Sequence, residues 1–294
     1  MPGMISSLSY QYKVITNAKN HLKKQLTARD HGDPQQRTPP KSLEKRHRTQ
    51  ANERSGHPVY YLDYDRAEEK PCILYFHGGS FLTGLSGKHW RFARKLLFGT
   101  GCPMVVPDYP LIPEHTHRGI LAFCMELYLD LAAECPHGVI LVGDGAGANL
   151  ALSVARQAVR KKLPLPVQIL LLSPYLDLSG TNPIRNVLAH RDPVLEPDGC
   201  REAALLYAGS RSLSDPLISP VLGSMEGLPK VTAWTGDNDI LYADTLLLKD
   251  ALKKARTPYH IYTYPNMVHG WMLERIPEGR RALRQIVLTI REYL

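Results

Sequence analysis

Along most of this chain the apolar residues come in short unbroken runs, not in strict alternation. Such runs lie at 59–62, 72–76, 104–106, 139–142, 167–172, 231–234 and 260–264. Runs this short, closed by Gly, Pro or Asp, suit strands buried on both faces. Between them, 91–98, 120–134, 148–161, 244–254 and 279–293 carry helical patterning. The alternation of strand and helix predicts an α/β fold with a mainly parallel central sheet flanked by helices. Ligands of such sheets bind at the carboxyl ends of the strands.

Two stretches depart from this rhythm. Residues 4–27 read as a helix with Leu8, Tyr12, Ile15, Leu22 and Leu26 roughly on one face. The polar stretch 28–56, with Pro34, Pro39 and Pro40, reads as a linker or arm. Residues 179–219 separate the runs at 167–172 and 231–234, and 198–207 within them look helical. An insertion there is placed to roof a site. The expected organisation is therefore an N-terminal helix and basic arm over 1–56, contributing to a helical cap. One α/β domain follows over 57–294, with its cap insertion at about 179–219.

Composition narrows this picture. The 294 residues are 44% hydrophobic, enough for one large core. A net charge of +8 and a pI near 9.2 would admit nucleic acid or an anionic membrane as partner. Much of the excess, however, lies in the first 55 residues, from Lys19 to Arg54, opposed only by Asp30, Asp33, Glu44 and Glu53. That distribution reads as a solvated arm and argues against nucleic-acid binding. Cys72, Cys102, Cys124, Cys135 and Cys200 are odd in number and form no C-x-x-C pair, which predicts reduced thiols. No segment reaches about 18 uninterrupted apolar residues, and the N-terminus has no secretory pattern. The expectation is a cytoplasmic protein without a stable membrane span.

Four segments can carry chemistry. Gly143-Asp144-Gly145-Ala146-Gly147 stands between a strand and a helix. A strand-to-helix elbow of the form G-x-S-x-G exposes its middle side chain and aims the next backbone N–H at the reacting oxygen. Here the middle residue is Gly145. His77-Gly78-Gly79 follows a buried strand, and its N–H groups suit an oxyanion. Gly236-Asp237-Asn238-Asp239 offers carboxylates that orient a histidine, and His269-Gly270 offers the histidine. The glycine-rich turn also admits a phosphate-binding reading. No acidic residue stands about 20 positions on, where a ribose contact is needed, because 164–168 read Pro-Leu-Pro-Val-Gln.

Taken together, these segments resemble the hormone-sensitive-lipase branch of the α/β-hydrolases. His77-Gly78-Gly79 is similar to that branch's oxyanion motif, and Asp108-Tyr109-Pro110-Leu111-Ile112-Pro113-Glu114 to its D-Y-R-L-A-P-E segment. Gly143 to Leu150 resembles G-D-S-A-G-G-N-L, with glycine at the serine place. Ser173-Pro174, Asp239-Ile240-Leu241 and His269-Gly270 complete the order. The resemblance implies Asp239 as the acid, His269 as the general base, and Gly78, Gly79 and Ala146 as oxyanion donors. Asp237 and Asp244 are competing carboxylates, with Asp244 expected to cap the next helix. Tyr109 and Glu114 are expected as structural supports. No cofactor and no metal are implied. The expected partner is a small acyl ester or related ligand.

Gly145 has no nucleophilic atom, so the resemblance implies a carboxylic-ester hydrolase scaffold that is inactive or strongly impaired as written. The alternative is a ligand-binding pseudoenzyme, a sensor or scaffold that uses the same pocket.

Overall fold

The computed structural model describes residues 21–294. The helix expected over 4–27 therefore lies largely outside the described residues; its end is seen as α1, His21–Ala28. Eight strands form one sheet: β1 Thr49–Arg54, β2 His57–Leu62, β3 Cys72–Phe76, β4 Met104–Pro107, β5 Val139–Asp144, β6 Gln168–Leu172, β7 Val231–Gly236 and β8 Tyr259–Tyr264. Their order is β1-β2-β4-β3-β5-β6-β7-β8. β2 runs antiparallel to both neighbours, and every pairing from β4 to β8 is parallel.

The apolar runs behave as their pattern predicts, because each central strand sends alternate residues into two cores. Leu74, Phe76, Leu141 and Leu171 face one side, and Ile73, Tyr75, Ile140, Val142 and Trp234 face the other. Helices α5 (His117–Glu134), α6 (Ala146–Lys161) and α9 (Tyr242–Lys254) cover the first face. Helices α4 (Gly87–Thr100) and α10 (Pro277–Arg291) cover the second. The chain leaves β3 for β4 on one side and then crosses to β5 on the other. The crevice beyond the carboxyl ends of β3 and β5 is thus the topological switch point, where open α/β sheets bind ligands.

The stretch 28–56 is not a linker. It holds two short helices, α2 (Pro34–Arg37) and α3 (Lys41–Glu44), and the edge strand β1. β1 pairs with β2 in a hairpin that crosses the expected boundary at 56. Its sequence, Thr-Gln-Ala-Asn-Glu-Arg, is mostly exposed and has no apolar run to announce it. A polar edge strand is also what discourages unwanted strand pairing. Before it, the backbone is tied down by specific bonds. Arg37 Nε and Nη2 both reach Asp108 Oδ2 at 2.7 Å. His31 Nδ1 donates to the Leu82 carbonyl at 2.8 Å, and its Nε2 lies 3.2 Å from Glu114. Within 179–219 lie α7 (Ile184–Leu188) and α8 (Pro197–Ala208).

Candidate active site

The turn after β5 is built by glycines whose missing side chains are a steric requirement. A Cβ on Gly143 would stand 2.2 Å from the Gly147 carbonyl oxygen, and one on Gly147 would stand 2.0 Å from that of Phe76. Strand β5 and helix α6 touch backbone to backbone here, so no larger residue fits. Gly147→Ala is expected to destabilise the fold by about 3 kcal/mol, read as a lower urea midpoint at unchanged slope.

Gly145 itself is different. It has φ +53° and ψ −115°, a conformation that L side chains rarely adopt. Yet a Cβ there meets nothing closer than His269 Nε2 at 3.5 Å, His269 Cε1 at 3.6 Å and Gly78 Cα at 3.8 Å. The position has room for a side chain and is aimed at an imidazole. The turn is held by the Gly145 N–H on the Leu172 carbonyl at 2.9 Å and by the Tyr175 N–H on the Gly145 carbonyl at 3.1 Å.

On its far side His269 Nδ1 lies 3.0 Å from Asp239 Oδ2. Asp239 is fully buried, and its other oxygen accepts the Leu241 N–H at 2.9 Å. This geometry leaves Nδ1 donating to the carboxylate and Nε2 facing position 145. The competing carboxylates point elsewhere. Asp237 accepts the Asn266 N–H at 2.6 Å. Asp244 does not cap a helix, as its sequence position suggested: α9 starts two residues earlier, at Tyr242. Its buried carboxylate instead accepts the N–H groups of Leu176 and Asp177, at 2.8 and 2.9 Å, and pairs with Arg185.

Gly78 and Gly79 lie after β3. A Cβ on Gly78 would run into Asp144, 2.3 Å from Oδ2, and Gly79 has φ +124°. The N–H groups of Gly78, Gly79 and Ala146 have no hydrogen-bond partner among the described residues. Ala146 begins α6, so its N–H carries the positive end of the helix dipole. Tyr109 supports this loop as expected: its hydroxyl donates to the His77 carbonyl at 2.7 Å, and its ring stacks on His77 at 4.2 Å. Asp144 accepts from the Tyr75 hydroxyl at 2.6 Å and also borders the cavity. Burial works against its charge, but His89 and Tyr75 outweigh it and hold the carboxyl at about 2. Burial drives the His89 imidazole down to about 4 in spite of that carboxylate.

These groups surround a cavity of about 400 Å³. Gly145, Ala146 and His269 form its floor, and Leu22 of α1, Tyr175 and Leu195 are among its walls. Ser153 is not a substitute nucleophile: it is buried in α6 with its hydroxyl on Asn149 at 3.3 Å. Among the described residues no His, Cys, Asp and Glu side chains gather as a metal site would.

One site residue escaped sequence reasoning. Asp192, in the inserted stretch, is fully buried. One oxygen accepts the Val194 and Leu195 N–H groups at 2.8 and 3.2 Å, and the other accepts the Ile240 N–H at 2.9 Å. It thus joins a cavity wall to the loop that carries Asp239. Burial first, and then the Asp239 charge, raise its carboxyl to about 6. An Asp-Pro pair in a polar stretch gives no hint of this role.

Burial opposes a charge on His269, but Asp239 and then Asp192 raise its pKa above the usual imidazole value. A raised folded pKa stabilises the protein below about pH 6.5, and this contribution is lost as pH rises through the folded value. An NMR titration of His269 should show a midpoint above the ordinary value. Asp239→Asn should lower it strongly and Asp192→Asn less. A midpoint unmoved by Asp239→Asn would refute the pairing.

Comparison with known proteins agrees with this geometry. The family described as "alpha/beta hydrolase fold" matches residues 73–273. The chain is 32% identical over 216 residues to an acetyl-hydrolase of Streptomyces hygroscopicus, covering 72% of each chain. It is 30% identical over 231 residues to the esterase LipU of Mycobacterium tuberculosis, covering 75% of this chain and 77% of that one. Among solved structures, an esterase from the bacterial hormone-sensitive lipase family superposes with a TM-score of 0.79 at 25% identity, over 85% of this chain and 86% of the other.

Proposed function

Since the chain belongs to the α/β-hydrolase family, we propose that its cavity is a carboxylic-ester site, complete except for the nucleophile, that binds small acyl esters without forming an acyl-enzyme at position 145. The observation that carries this reading is the direction of Gly145. Its vacant Cβ position faces His269 Nε2 at 3.5 Å, with Asp239 behind the imidazole.

With a hydroxyl at 145 the chemistry follows directly. His269 takes the hydroxyl proton as the oxygen attacks the ester carbonyl, and Asp239 stabilises the imidazolium that forms. The carbonyl oxygen becomes an oxyanion that the Gly78, Gly79 and Ala146 N–H groups meet. His269 then returns the proton to the departing alkoxide. Without the hydroxyl, ester binding and oxyanion recognition remain and the first bond cannot form. The size of the cavity and the apolar character of Leu22, Tyr175 and Leu195 favour a short or medium acyl group. The test is ester hydrolysis by the Gly145→Ser protein.

A further inference from the structure

Helices α4 and α10 lie against each other on one face of the sheet, so close at Gly99 that a Cβ there would stand 2.6 Å from Val287 Cγ2. Their outer surface is cationic in a way the N-terminal charge count did not foretell. Arg91, Arg94 and Lys95 come from α4, and Arg275 and Arg280 from the start of α10 and the turn before it. No side chain of these five makes an ion pair or hydrogen bond among the described residues, and Arg91 Nε is buried without a partner. Glu274 and Glu278 stand at the same end of α10, and neither pairs with any of them. After burial, the influences that most lower the Lys95 pKa are the charges of Arg275, Arg91, Arg94 and Arg280.

The relief of this face is also specific. Arg46, Arg94, Lys95 and Leu283 border a groove of about 590 Å³ together with Phe98. A second hollow of about 460 Å³ adjoins it through Arg94 and includes Arg91 and Arg275. Phe98 is 84% exposed, and Leu288 on α10 is 60% exposed. Like charges held this close repel one another, and no side chain among the described residues pairs with them. A bare phenylalanine among them has no partner in water either. An occupant that answers both features is anionic and apolar at once. Nucleic acid would satisfy the cations and stack a base on Phe98, but it offers nothing to the aliphatic Leu283 and Leu288, which acyl chains would cover.

We propose that the α4–α10 face docks this protein on an anionic lipid surface, with the five cations against the headgroups and Phe98 entering the acyl boundary. A basic cluster joined to an apolar insertion supplies the two signals that stable peripheral attachment needs. None of the five cations nor Phe98 lines the ester cavity, so this inference does not rest on the proposed function.

The test is co-sedimentation of the full chain with phosphatidylcholine vesicles, with and without phosphatidylserine. Binding should be at least about tenfold stronger with phosphatidylserine and should weaken as salt screens the charges. The double variant Arg94→Glu, Lys95→Glu should abolish the preference. Phe98→Ser should weaken binding to the anionic vesicles about tenfold. None of these side chains is buried, so the variants should melt like the parent protein, which separates loss of docking from loss of fold. Equal binding to both vesicles, or a preference indifferent to the charge reversal, overturns the proposal. So does tighter binding to a duplex oligonucleotide that Phe98→Ser leaves unchanged.

Discussion

Gly145→Ser should turn this protein into an esterase. A site that has its nucleophile and one that lacks it differ by up to about 10⁶-fold in kcat where this has been dissected. A gain of at least about 10³-fold in p-nitrophenyl ester hydrolysis over the parent chain is the expected result. The serine hydroxyl would extend one bond from a Cβ already 3.5 Å from His269 Nε2, within hydrogen-bond reach of the imidazole. The gain should vanish in Gly145→Ser, His269→Ala and be largely lost in Gly145→Ser, Asp239→Asn. A fluorophosphonate should label the serine variant at residue 145 and leave the parent unlabelled there. The substitution should also lower stability by about 1–3 kcal/mol, because φ +53° and ψ −115° are costly for a residue with a Cβ. A folded Ser variant with neither hydrolysis nor labelling would refute the ester-site reading.

Arg185→Ala should be among the most damaging single changes in the fold, at about 3–5 kcal/mol. The guanidinium is buried on α7 and meets Asp244 through Nε at 3.1 Å and through Nη2 at 2.6 and 2.7 Å. Removing it strands a carboxylate with no solvent exposure on two backbone donors. Burial already lifts the Asp244 carboxyl to about 6 with Arg185 present, and without Arg185 the shift must grow. The sign follows from linkage: a carboxyl whose folded pKa is raised loses stability as pH rises from its unfolded value through its folded one. The deficit of Arg185→Ala should therefore be smallest near pH 4 and widen toward neutrality, in urea melts taken across that range. Arg185→Met with Asp244→Leu should recover much of the loss, because a buried ion pair can be replaced by apolar packing. A deficit independent of pH would mean that packing around α7, not the stranded charge, is responsible. The effect should reach the cavity too. Leu176 and Asp177, which Asp244 holds, follow Tyr175, whose N–H is bonded to the Gly145 carbonyl.

Much of this architecture is legible along the chain because its causes are local. A strand covered on both faces must be largely apolar, as β3 and β4 are throughout, and seven of the eight strands coincide with an apolar run. A strand meeting a helix backbone to backbone must use glycine, as Gly143 and Gly147 do. The Asp239–His269 pair was implied by resemblance, and the fold brings its members to 3.0 Å across thirty residues of sequence.

What the tertiary structure alone decided concerns polar residues, since a polar residue's periodicity says nothing about its partner. β1 has no apolar run, and it exists only because β2 offers it an edge. Arg37 and His31 looked like charges of a loose arm, and they bind Asp108, Glu114 and the loop that follows Gly79. Asp192 and Asp244 were one acid among many and one expected helix cap. Folding buries both, and burial makes each choose its donors: the Ile240 N–H for the first, Arg185 for the second. The five cations of the α4–α10 face are distributed over nearly two hundred residues of sequence, and become one surface only when the two helices pack. Gly145 belongs to both accounts. The sequence shows that the hydroxyl is absent, and the structure shows that the space for it, and the histidine facing that space, are present.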